Sequence, residues 1–162
     1  MADNVDRILE QWHAEKPGLD VSPMAVIGRL SRTATAVESR LADTFARHGL
    51  DASSFDVLAT LLRSGAPYRI TPAELARDSM ISTSAVAQRL NKLESRGFVK
   101  REANPDDGRG TVVALTGAGK GLIEKALPDH LETEHVIVAA LSVKEQAQLA
   151  SLLRRIEDAA GS

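Results

Sequence analysis

The chain has 162 residues, 43% of them hydrophobic, and a formal net charge of −2, enough for one well-filled core and too little for two independent ones. It contains no cysteine, which excludes disulfides, thiolate metal sites and thiol redox sensing. No run approaches the ~18 apolar residues of a membrane span, and the charged start MADNVDRILE lacks the apolar core of a secretion signal. The expected compartment is therefore the cytoplasm, with no membrane partner.

The charge is uneven along the chain. Residues 1–21 net −3, residues 112–162 net −2, and residues 67–111 carry eight Lys and Arg against six Asp and Glu. The middle is the part suited to an anionic partner.

In chain order, Val5, Ile8, Leu9 and Trp12 recur at helical spacing and predict a helix from about Asp3 to Ala14. Ser22-Pro23 is expected to cap a second, long helix carrying Val26, Ile27, Leu30, Ala34, Val37, Leu41 and Phe45, stopped by Gly49. Asp51 caps a third, which carries Phe55, Val57, Leu58, Leu61 and Leu62 and ends near Gly65. A short extended segment, Tyr68–Ile70, precedes Thr71-Pro72-Ala73-Glu74, a capping box with proline at the first helical position. The short helix it opens gives way at Ser79-Met80-Ile81 to a helix from about Ser84 to Arg96, with Val86, Leu90 and Leu93 on its inner face. Two strand-like runs, Phe98–Ala103 and Thr111–Leu115, flank the turn residues Asn104 to Gly110. Thr116 opens a helix that Pro128 is expected to kink, and Ser142 to Glu145 is a capping box for the last one.

Helix, short strand, helix, tight turn, helix and charged hairpin make a winged helix-turn-helix: a mainly α fold with a small β-hairpin. Its helix after the turn has a polar outer face of Ser82, Thr83, Ser84, Gln88, Asn91 and Lys92, the size and chemistry for a major groove. Gln88 and Asn91 suit base edges. The hydroxyls at its start suit phosphate. Arg109 at the wing tip is placed for phosphate or the minor groove. Double-stranded DNA is the partner these residues imply.

The run ITPAELARDSMISTSAVAQRLNKLESRGFVKREANPDDGRGTVVALTGAGKGL resembles the core of the MarR family of bacterial transcription regulators. That resemblance implies a single domain over residues 1–162, with residues 51–116 as the DNA-binding winged helix-turn-helix and residues 1–50 and 117–162 as dimerisation helices. It implies a homodimeric regulator, a repressor in the leading reading, on a pseudo-palindromic operator. Apolar residues of the terminal helices (Ile8, Leu9, Val136, Ile137, Leu141, Leu149, Leu152, Ile156) are too many for one small monomer to cover. One departure stands out: the family places two arginines after the wing aspartate, and here the pair is Gly108-Arg109.

The N-terminal helix with Trp12, the segments LDVSPMAVIGRL and SFDVLATLLRSG, and an arginine inside the recognition helix resemble the urate-responsive, PecS-like branch of that family. The resemblance implies a ligand site of Trp12, Asp56, Arg89 and Arg101. The chemistry is coherent: a planar anion wants guanidinium pairing, a carboxylate for its N–H groups and a stacking wall. Urate or xanthine fits, with trans-aconitate or another small anion as the alternative. Asp56, behind the DNA face, is expected to serve ligand response rather than DNA. The plainer alternatives are Trp12 as core, Asp56 and Arg101 as a structural salt bridge, and Arg89 as a phosphate contact. A winged helix used only for protein assembly stays open too. His13, His48, His130 and His135 show no i, i+4 pair for a metal, and Gly117 to Gly121 lacks phosphate-loop spacing. No catalytic constellation is present, so neither cofactor nor enzyme activity is expected.

Overall fold

A computed structural model describes residues 3–161 apart from Ile81, Ser82, Asp106 and Arg109. The chain divides into two compact units, residues 1–40 and 41–162. The first holds α1 (Asn4–Glu15) and most of α2 (Ser22–Arg47). Asp3 caps α1 with a reciprocal box to Asp6, and Arg29 of α2 reaches both carboxylates at 2.9 and 2.6 Å. Val5 is buried where α2 carries Gly28, whose missing Cβ would stand 3.4 Å from Val5 Cγ1. The start of α2 differs from the expected cap. Ser22 is itself helical, and the Asp20 carboxylate accepts from the Ser22 amide at 3.0 Å, which a nearer Ser-Pro pair masks in the sequence.

The second unit continues with α3 (Ala52–Arg63), β1 (Arg69–Ile70), α4 (Pro72–Asp78), α5 (Thr83–Ser95), β2 (Val99–Ala103), β3 (Thr111–Leu115), α6 (Gly117–Val138) and α7 (Val143–Ala160). The strands form one antiparallel sheet in the order β1-β3-β2, with Arg69 opposite Ala114 and Arg101 opposite Val113. Leu58, Leu61, Leu75, Leu90, Leu93, Val113 and Ile123 are fully buried in one cluster that joins α3, α4, α5, the sheet and α6. Phe45 and Phe55 of this cluster stack at 4.6 Å, and the His130 ring lies 5.4 and 4.6 Å from their centroids. This core fixes α5 by its inner face and leaves Gln88, Asn91 and Lys92 of its outer face exposed.

Local chemistry sets the boundaries. Gly49 and Gly97 adopt positive φ, +66° and +75°, where α2 and α5 end. Thr71, Thr116 and Ser142 each cap a helix as expected. The helix after the turn begins and ends one residue earlier than predicted, and α6 passes through Pro128 as one helix. No single helix among the described residues is long and apolar enough to cross a membrane.

Candidate nucleic-acid interface and anion site

The recognition element is α5. Val86, Leu90 and Leu93 are buried, whereas Gln88, Asn91 and Lys92 are exposed. The i, i+4, i+7 apolar spacing turns the polar residues outward together. Ser82 and Arg109 lie outside the described residues. Thr83 and Ser84 form the first turn of α5, and their side chains also lie outside what the structure describes. The wing closes through Asn104 N–H to Gly110 O at 2.9 Å and Gly110 N–H to Asp107 O at 2.8 Å. A Cβ at Gly108 would meet nothing within 4 Å among the described residues.

Each of the four expected ligand residues has its own local partners. Arg89 points inward from α5, its side chain 24% exposed, and its Nη1 donates to Asp51 Oδ2 at 2.9 Å. Its Nε is buried without a hydrogen-bond partner among the described residues. Asp56, on α3, accepts from the Met80 amide at 2.6 Å, which anchors α3 to the turn before α5. Its carboxylate, expected to serve ligand response from behind the DNA face, thus also has a backbone partner in the helix-turn-helix. Arg101, on β2, pairs with Glu94 of α5 and donates from Nη2 to Asn91 Oδ1 at 2.8 Å. A structural Asp56–Arg101 salt bridge is thus replaced by two separate partnerships. Trp12, in the first unit, is 38% exposed and borders a shallow hollow with Pro17 and Leu19.

Asp51 is the functional residue that spacing alone presents only as a helix cap. Its Oδ1 accepts the Ser54 amide at 2.8 Å, and its Oδ2 takes Arg89 at 2.9 Å and Lys92 at 2.7 Å. Burial would raise its pKa, but the Lys92 ammonium, the Ser54 amide and the Arg89 charge together hold it down to about 2. The sequence signal was available in retrospect: Arg89 and Lys92 are three apart on one helix, a pair of cations wanting one anion. Further along the same helix, Arg96 donates to Gly49 O at 2.9 Å and covers the Phe98 ring at 4.8 Å. Arg89 and Arg96 thereby tie α5 to the corner between α2 and α3.

The profile of the MarR family matches residues 48–110, the span from the α2–α3 corner to the wing tip. The chain is 40% identical over 153 residues to the HTH-type transcriptional regulator PecS of Dickeya dadantii (strain 3937), covering 94% of this chain and 92% of that protein. Among solved structures it is similar to Sco3205 of Streptomyces coelicolor, a MarR family transcriptional regulator in complex with DNA. That likeness has a TM-score of 0.78 and 25% identity over 87% of this chain and 89% of the other. A mutant MarR of Escherichia coli complexed with operator DNA gives a TM-score of 0.71 and 25% identity over 90% and 96% of the two chains.

Proposed function

This chain belongs to the MarR family of DNA-binding transcriptional regulators, and from that premise we propose that it is a homodimeric repressor released from its operator by a small planar anion. Family membership also makes it a regulator rather than an enzyme. The observation that carries the proposal is α5, held by its apolar face while Gln88, Asn91 and Lys92 stand outward on the helix the family inserts in DNA. Two such helices would read two major-groove segments about one helical turn, ~10 bp, apart. Ser82, Thr83 and Ser84 would meet phosphate, with Arg109 reaching phosphate or the minor groove. In support of a dimer, α7 buries none of its residues within one chain, and its Leu149 and Leu152 are 44% and 43% exposed.

The anion reading rests on the resemblance to the urate-responsive branch and on two features of α5. Arg89 carries a buried Nε with no partner among the described residues, a donor suited to an anion. Asp56 holds the turn that leads into the helix. Urate or xanthine bound at Arg89, Arg101 and Asp56 would compete with contacts that orient α5, so ligand and DNA would bias one element in opposite directions. Trp12 enters through the resemblance alone. The pairings of Arg89 with Asp51 and Arg101 with Glu94 favour a second reading, in which these arginines are structural and no effector exists.

Footprinting on the chain's upstream DNA, with and without urate or xanthine, tests the proposal. A protected palindrome that reappears as free DNA when either purine is added supports it. Protection unchanged at millimolar purine supports the second reading. Protein that protects no DNA, or whose binding ignores salt, contradicts the DNA role itself. Within that assay Arg109→Ala should weaken many sequences alike and flatten the salt slope by about one unit.

A further inference from the structure

Asn91 is an exposed residue of α5 and the proposed base-contacting amide. Its oxygen is occupied by Nη2 of Arg101 at 2.8 Å, from the strand that leaves the recognition helix. A guanidinium has only donors, so the end of the amide that faces it must be the carbonyl oxygen. Turning the amide over would press its N–H₂ against N–H groups. Arg101 cannot easily yield, because its own backbone amide donates to Glu94 Oε1 at 3.1 Å and its Nη1 pairs with Glu94 Oε2. Asn91 donates no hydrogen bond among the described residues, so its N–H₂ is the free end.

We infer that Arg101 is a specificity-determining positioning residue, which fixes the amide of Asn91 so that its N–H₂ is presented to DNA. This rests on Asn91 being a base contact. An amide held this way favours base edges that accept: purine N7, guanine O6 and thymine O4. It disfavours the amino edge of cytosine. A free asparagine turns to suit either kind of edge, so the discrimination belongs to the pair. The same guanidinium stands in the proposed anion site. An anion that draws Arg101 away therefore erases a base preference as well as disturbing a helix.

The experiment uses the full chain as wild type, Asn91→Ala, Arg101→Ala and Arg101→Lys. Selection from a randomised duplex library gives the preferred site, and affinities are then measured with each of the four bases at every position. Asn91→Ala should reduce discrimination about fivefold or more at one base-pair position. Both arginine variants should reduce it at that same position, leave the other positions alone, and add nothing when combined with Asn91→Ala. Arg101→Lys keeps a cation for Glu94 but loses the planar fork that spans two partners, so it carries the test if Arg101→Ala does not fold. Arginine variants that weaken every duplex alike, or that keep the wild-type preference, overturn the inference while leaving the Asn91 contact standing. If Asn91→Ala keeps every preference, the base contact itself is wrong and the inference falls with it.

Discussion

At Asp51 one carboxylate starts a helix and neutralises two cations of the next helix but one. Its two functions are separable by substitution. Asp51→Asn keeps an oxygen for the Ser54 amide but removes the charge opposite Arg89 and Lys92, whereas Asp51→Ala loses both. Cap loss alone costs about 0.5–2 kcal/mol, so denaturant melts should rank wild type, then Asn, then Ala. The acid side gives a second check. With its pKa lowered from 3.8 to about 2 in the fold, the Asp51 contribution is full above about pH 4 and is lost as pH falls through about 2. Melts of wild type and Asp51→Asn between pH 5 and 2 should therefore converge toward acid. A constant gap across that range would deny the charge role. Spacing in the sequence presented Asp51 as a cap, correctly, but not as the partner of residues 38 and 41 positions away. Likewise the residue types of Asp56, Arg89 and Arg101 were legible as charge-bearing, while their pairing was not, since it is decided by packing between elements.

Among elements, capping and breaker chemistry was the most legible part, because each signal is local: Thr71 with Glu74, Ser142 with Glu145, Gly49 and Gly97. The Asp20 carboxylate that takes the Ser22 amide was obscured because Ser22-Pro23 matches a cap template two residues later. The strand β1 was visible only as a short extended run. Its pairing with β3 depends on a partner more than forty residues away. The wing offers a test at this scale. Among the described residues nothing stands within 4 Å of a Cβ at Gly108, so Gly108→Arg should be accommodated and add a phosphate contact. Operator binding should tighten, and its salt slope should steepen by about one unit. An unchanged slope would show that the tip does not approach the backbone. Gly119 is the opposite case. A Cβ there would stand 1.9 Å from Phe98 O, a backbone atom that cannot turn aside. Gly119→Ala should cost about 1–3 kcal/mol or more in thermal or denaturant melts.

For the whole molecule, the apolar surface left on α6 and α7 makes self-association the next expectation. Leu131, Val136, Leu149, Leu152 and Leu153 are all exposed in a single chain, and a patch of that kind marks an interface. Sedimentation should show a dimer at micromolar concentration, and Leu149→Glu with Leu152→Glu should shift it toward monomer and abolish operator binding. A folded wild-type monomer under those conditions would refute it. The close approach at Gly119 has a mechanical side. Thr116 hydroxyl donates to Gly97 O at 2.6 Å and Thr116 N–H to Phe98 O at 3.1 Å, so the root of α6 and the root of the hairpin are clamped in the same place. A helix roughly 30 Å long therefore begins at the base of the hairpin, so a shift of its first turn would reach the wing. Pro128 is the place along that helix where a backbone hydrogen bond is missing, so a bend between the two ends would be expected there.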